Sequence, residues 1–214
     1  DDSFRVVPKG LRSFDEHDAD FFLQLLPGAR DRDGLPESVR FWKTRVESRD
    51  PERTFRVGML YGPSGCGKSS LIRAGLIPRL GASIRALYVE ATPAETEDRL
   101  LRGLRQVVPE VQGESDLVAT LATLRRGRVL PSGQKVLIVI DQLEQWLVSG
   151  LATENTDLVL ALRQCDGRHV QAILLVRDDF WLAASTASMM GSIAEASDTC
   201  LRPRDSISSS TFSG

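Results

Sequence analysis

A glycine-rich loop, Gly62-Pro63-Ser64-Gly65-Cys66-Gly67-Lys68-Ser69-Ser70, stands where one hydrophobic period gives way to another, and that junction narrows the folds open to the chain. Phe55, Val57, Met59 and Tyr61, with Leu60 between them, read as a short apolar strand. Beyond the loop, Leu71, Ile72, Leu76 and Ile77 recur at helical spacing until Pro78 stops the helix. The loop fits GxxxxGK[ST], a pattern that binds phosphate in this strand-before, helix-after setting. Gly62, Gly65 and Gly67 permit backbone conformations closed to residues with a Cβ, so that successive N–H groups can turn inward around an anion. Lys68 can then reach the β- and γ-phosphates, and the Ser69 hydroxyl can join a Mg²⁺ shell. The helix opening at Lys68 adds its positive dipole end. Residues 62–70, Pro63 and Ser64 included, are therefore the expected phosphate cradle, with Cys66 needing only to be small because its backbone acts. A glycine-rich turn that merely precedes a lysine is the bland alternative.

The rest of the chain alternates. Ile84 to Val89 reads as a second strand, and Thr92-Pro93-Ala94-Glu95 as a helix start with a capping box, leading into Leu100, Leu101, Leu104 and Val108. A helix is expected from Ser115 or Asp116 to Arg126, stopped by Gly127, and another from about Asn155 to Cys165. Val136-Leu137-Ile138-Val139-Ile140 and Val170 to Val176 have the unbroken apolar character of strands covered on both faces. Strands alternating with helices predict an α/β fold, a parallel sheet flanked by helices with right-handed crossovers, of the P-loop NTPase type. Residues 1–54 form a lead-in expected to pack on that core, its helical face carried by Leu35, Val39, Trp42 and Val46; residues 55–184 form the core itself. Residues 185–214 are a Ser-rich tail without period, expected to be disordered or aberrant.

Composition excludes several classes. Lys plus Arg number 27 against 29 Asp plus Glu, so no net positive field favours a nucleic-acid backbone. The apolar runs fall far short of the ~18 residues needed to span a bilayer. Three cysteines, Cys66, Cys165 and Cys200, lack metal-ligand spacing and favour a reducing, cytoplasmic setting over a disulfide framework. His17 and His169 receive no catalytic role. The acidic start, Asp1-Asp2-Ser3, without a methionine, points to a larger parent polypeptide.

A phosphate loop needs an acidic counterpart. The run Val136–Ile140 ends at Asp141, placed to hold Mg²⁺ through water; alternatively Asp141 caps the helix that carries Leu143, Trp146 and Leu147. Gln142 follows it, able to orient water without taking its proton, and Glu144 either polarises water or closes a capping box back onto Asp141. Arg177, just past the last strand, either senses a γ-phosphate or pairs with Asp178 or Asp179, themselves candidate helix caps. Arg99, Arg102 and Arg105 read as a solvated helix face.

Taken together, these residues resemble the bacterial branch of the STAND class of signalling NTPases. The likeness rests on Gly10-Leu11-Arg12-Ser13-Phe14 and Asp20-Phe21-Phe22, on residues 62–78, on Ile140-Asp141-Gln142-Leu143-Glu144-Gln145, and on Val176-Arg177-Asp178-Asp179-Phe180. It implies an ATP-binding, Mg²⁺-dependent switch domain in large proteins beside Ser/Thr kinase domains or repeat arrays, with nucleotide-dependent self-association. It also implies that the strand ending at Arg177 lies between the strands ending at Gly62 and Asp141. By the same matching, Gly62 to Ser70 would bind phosphate, Asp141 would hold Mg²⁺, and Arg177 would sense the γ-phosphate. Phe22 leads into Leu23-Gln24-Leu25 where the family has Gly-Arg-Glu, and the fifth strand and helical lid expected after Phe180-Trp181-Leu182 are not legible in the tail, which suggests truncation or a frame change near Ser185. Slow ATP hydrolysis is the expected activity; a small-molecule phosphotransferase and a nucleotide-binding interaction module without catalysis are the alternatives.

Overall fold

The computed structural model describes residues 13–149, 155–186 and 193–198. Five strands form one sheet: β1 (Val57–Gly62), β2 (Ile84–Glu90), β3 (Lys135–Asp141), β4 (Val170–Arg177) and β5 (Ile193–Asp198), in the order β2-β3-β4-β1-β5. Every pairing is parallel. Between them run α3 (Lys68–Ser70), continued by π-helical turns over Leu71–Leu76, then α4 (Thr96–Val107), α5 (Leu117–Arg125), α6 (Leu143–Leu147), α7 (Asp157–Leu162) and α8 (Trp181–Thr186); α1 (Ala19–Leu25) and α2 (Glu37–Glu47) precede β1.

The central strands separate two cores by simple alternation. Val136, Ile138 and Ile140 of β3, with Ala172, Leu174 and Val176 of β4, face Leu100 and Leu104 of α4, Leu121 and Leu124 of α5, and Leu158 and Leu162 of α7. Leu137, Val139, Ile173 and Leu175 turn the other way, against Leu71, Ile72 and Leu76 behind the glycine-rich loop and against Val39, Trp42 and Val46 of α2. Trp42 is 1 % exposed and meets Phe41 and Phe55 edge-on, at 5.4 and 5.6 Å between ring centres. Gly58 in β1 makes room for it: a Cβ there would stand 2.8 Å from the indole.

The lead-in is tied to the helix after the loop. The Phe14 N–H donates to Ser70 Oγ at 3.0 Å, Arg73 donates to Ser13 Oγ at 3.2 Å, and Arg79 donates to the Ala74, Gly75 and Ala19 carbonyls at 2.7, 3.2 and 3.0 Å.

Three local expectations need correction. A fifth strand does exist: β5 adds in parallel to the outer side of β1. Its sequence, Ile193-Ala-Glu-Ala-Ser-Asp198, carries a single β-branched side chain, Ile193, and no aromatic one, so the pattern by which strands are recognised is nearly absent and the strand forms by pairing with β1. The residues on either side of it, including those where a lid was sought, lie outside the described residues, as does Gly10-Leu11-Arg12. Secondly, α4 starts at Thr96 with Thr92 as the bonded partner: Thr92 N–H donates to Thr96 Oγ1 at 2.8 Å and Glu95 N–H to Thr92 Oγ1 at 3.1 Å, while the Glu95 carboxylate pairs with Arg99 at 3.1 Å. The second threonine takes the role assigned to the glutamate because its short side chain is already buried over the turn. Thirdly, Asp178 and Asp179 lie inside a 3₁₀ turn, Asp178–Phe180, whose own cap position is Arg177.

Candidate functional site

The sheet order decides which side chains meet. β4 lies between β3 and β1, so the chain reverses its winding there, and the crevice beyond the strands' C-terminal ends gathers the loop after β1, the end of β3 and the end of β4. A cleft of about 820 Å³ opens at this point, lined by Ser64, Gly65, Gly67, Lys68, Ser69 and Ser70, by Asp141, Gln142, Glu144 and Arg177, and by Ser13, Phe14 and Phe22 of the lead-in. Ten of these residues, from Ser64 to Arg177 and up to 113 positions apart in the chain, thus face one space.

The loop has the conformation its glycines allow. Gly65 and Gly67 sit at φ 76° and 92°, a region costly to residues with a Cβ, and Gly67 opens α3. Lys68 folds back over its own loop, donating to the Gly62 and Pro63 carbonyls at 2.7 and 3.0 Å, with Cys66 Sγ at 3.8 Å. An anionic oxygen entering the cleft competes with these two neutral acceptors for the ammonium, and charge-assisted bonds are roughly twice as strong.

Asp141 closes β3 and is 2 % exposed. Its Oδ1 accepts the Gln142 N–H at 2.7 Å, and its Oδ2 accepts the Tyr88 hydroxyl. No cation pairs with it among the described residues, although burying a carboxylate without a counter-charge is costly. Burial first, and the adjoining Asp141 charge second, push the Tyr88 phenol far above its ordinary range. Asp141 does not cap α6. Gln142 intervenes in the left-handed region, φ 54° and ψ 42°, with no side-chain cap bond, and this kink turns Asp141 into the cleft.

Glu144 does not reach back to Asp141; its Oε2 accepts the Arg177 N–H at 3.3 Å, which ties α6 to the end of β4. Behind it, the buried Trp146 indole donates to Glu97 Oε1 of α4 at 2.9 Å. The Arg177 guanidinium is clamped by Asp179, with Nε donating to Oδ1 at 3.1 Å, and lies 5.5 Å from the Phe180 ring centre. That partner, more than Glu144 or Asp178, holds the guanidinium above its usual range.

Two residues at the site carried no motif. Glu90, at the end of β2, lines the same cleft because it registers against Asp141. Tyr88, two residues earlier, reaches Asp141 from the same strand face. The period-2 pattern of Ile84–Glu90 was the available signal, but which strand neighbours β3 follows from the crossovers and not from β2 itself.

The donor set suits Mg²⁺ held partly by a nucleotide. No group of three or more His, Cys, Asp or Glu side chains gathers among the described residues, so an all-protein cage is not built there. One buried carboxylate and one serine hydroxyl beside a phosphate cradle match a small cation that takes its other ligands from phosphates and water. Among the described residues no helix is long and apolar enough to cross a membrane.

The profile of a family described as Novel STAND NTPase 1 matches residues 9–208. No curated protein matches. Among solved structures, the Aeropyrum pernix ORC2 protein in its ADP form is similar at 20 % identity, over 78 % of this chain and 50 % of that one, with a TM-score of 0.53. Drosophila ORC bound to DNA is 20 % identical over 71 % of this chain and 37 % of its own, with a TM-score of 0.48. The Walker-type ATPase paby2304 of Pyrococcus abyssi is 17 % identical over 81 % and 56 %, with a TM-score of 0.47. The likeness to the Aeropyrum protein supports the fold alone, and this chain spans only about half, or less, of the length of these solved chains.

Proposed function

The chain belongs to the novel STAND NTPase 1 family, and from that membership and the cleft's geometry we propose that it binds ATP with Mg²⁺ and hydrolyses it slowly, as the switch domain of a larger signalling protein. The observation that carries the reading is the strand order β3-β4-β1, which brings the phosphate loop, Asp141 and Arg177 to one crevice.

In this reading the backbone N–H groups of residues 64–69 bind the β- and γ-phosphates, and Lys68 exchanges its two carbonyl partners for phosphate oxygens. Ser69 and Asp141 hold the Mg²⁺, which when bound neutralises charge between the phosphates. Phe14, tied to the helix after the loop through Ser70, and Phe22 offer the base an apolar wall. Glu144, anchored on the Arg177 backbone, polarises the attacking water, and the Arg177 side chain responds to the γ-phosphate once it exchanges Asp179 for the anion. That exchange costs an existing ion pair, which argues for slow turnover and for a state-dependent switch. The Arg177–Asp179 clamp also favours a second reading, a nucleotide-binding interaction module in which phosphate is never released.

Titration with a fluorescent ATP analogue and Mg²⁺ tests the proposal. Lys68→Ala loses a charge-assisted contact worth roughly 1.5–3 kcal/mol, so its affinity falls about tenfold or more. Equal affinities for the variant and the parent chain refute the assignment, and binding without phosphate release selects the second reading.

A further inference from the structure

Tyr88 joins the edge strand to the two groups that the proposed function assigns to the metal. Its ring is half-buried on the face of β2 turned toward the helix after the phosphate loop. Arg73, one helical turn beyond Ser69, lies 5.2 Å above the ring centre and is itself held by Ser13. So clamped, the phenol hydroxyl donates to Asp141 Oδ2, and the Ser69 side chain is its second polar neighbour. Asp141's other oxygen accepts the Gln142 N–H, so both oxygens of the carboxylate are already bonded, and the phenol that takes Oδ2 also neighbours Ser69.

We propose that Tyr88 is a metal gate: its hydroxyl occupies Oδ2 of Asp141, and Mg²⁺ joins the nucleotide only when this bond opens. The inference rests on the nucleotide-binding reading. Two groups that would share a cation are instead bridged by a neutral donor that the fold holds in place from a third element. The cation and the phenol compete for one lone-pair direction on a buried carboxylate, where a bond to a charged acceptor is at its strongest. Opening the gate requires the ring to swing out from beneath Arg73 or β2 to shift, and β2 lies at the outer edge of the sheet with no strand on its far side among the described residues. Metal entry is thereby coupled to the edge strand and to the Ser13–Arg73 strap of the lead-in.

The test compares the full chain with Tyr88→Phe, which keeps the ring and its packing under Arg73. A fluorescent ATP analogue is bound at increasing Mg²⁺, and the Mg²⁺ concentration that gives half the metal-dependent gain in affinity is read for each protein. The gate predicts a midpoint about tenfold lower in Tyr88→Phe, with affinity in EDTA unchanged. A second readout uses the parent chain, which has two tyrosines, Tyr61 and Tyr88. With ¹³C-labelled tyrosine and saturating nucleotide, adding Mg²⁺ moves the Tyr88 Cζ resonance as its hydrogen bond to Asp141 is lost. An equal or higher midpoint in Tyr88→Phe, or a Tyr88 resonance that stays still while Mg²⁺ tightens nucleotide binding, overturns the gate and leaves the nucleotide reading standing. Failure of both proteins to bind nucleotide at any Mg²⁺ concentration overturns the two together.

Discussion

The bond between Trp146 and Glu97 offers the sharpest test of how the site is held in place. Trp146 is fully buried in the short helix that follows Asp141 and carries Glu144, and its indole N–H reaches across to Glu97 of α4 at 2.9 Å. In Trp146→Phe a hydrogen bond to a charged acceptor is lost, at roughly 1.5–3 kcal/mol. The smaller ring also gives up apolar contact worth about 1 kcal/mol. The expected loss is therefore about 3 kcal/mol, a large share of the ~5–15 kcal/mol available to a typical domain. Urea denaturation of the parent chain, Trp146→Phe, Glu97→Ala and the double variant closes a cycle that isolates the pair. A coupling energy of about 1.5 kcal/mol or more is expected, and the double variant should be little worse than Trp146→Phe alone. Losses that add within ~0.5 kcal/mol would refute the reasoning, because they would mean that α6 is held by packing alone.

Other perturbations bear on different parts of the molecule. Lys135 is 2 % exposed and donates to the Val46 and Ser48 carbonyls at 2.8 Å each, and burial lowers its pKa to about 8. Below that pH both the folded and the unfolded chain hold the proton; between about 8 and the unfolded value of ~10.4 only the unfolded chain does, so stability contributed by this residue rises with pH through that window, by up to roughly 3 kcal/mol. Urea midpoints of the parent chain relative to Lys135→Met should therefore climb from pH 7.5 to 10, and a constant difference would contradict the burial argument. Gly58→Ala places a methyl group against Trp42 and should cost about 1–3 kcal/mol in urea denaturation through overpacking. Glu144→Gln should slow phosphate release a hundredfold or more while sparing nucleotide affinity. Glu90→Gln should not slow release, and the reverse pattern would move the water-polarising role to β2.

Much of this architecture was legible in the residues, for reasons particular to each segment. Residues 136–140 and 170–176 are apolar at every position but Gln171, and only strands covered on both faces bury such runs, as β3 and β4 do. Residues 62–70 and Asp141 stood out by residue type and spacing, and the structure gathers Ser64, Gly65, Gly67 to Ser70 and Asp141 at one cleft. What escaped depended on neighbours distant in sequence. Whether Glu144 closes a capping box was decided by the left-handed turn at Gln142, which a glutamine does not announce. Tyr88 and Glu90 entered the site through the pairing of β2 with β3, and β5 became a strand through the free side of β1. Arg177 lines the cleft while its guanidinium is held by Asp179, a partner two residues away that its sequence neighbours did offer.

The central claim is most directly measured by a crystal structure of the chain grown with a non-hydrolysable ATP analogue and Mg²⁺. The account predicts the β- and γ-phosphates within hydrogen-bonding distance of the Gly65, Gly67 and Lys68 N–H groups, the Lys68 ammonium released from the Gly62 and Pro63 carbonyls, and the metal shared with Ser69 and Asp141. Nucleotide bound away from this loop, or Lys68 still bonded to those two carbonyls with the analogue present, would contradict it.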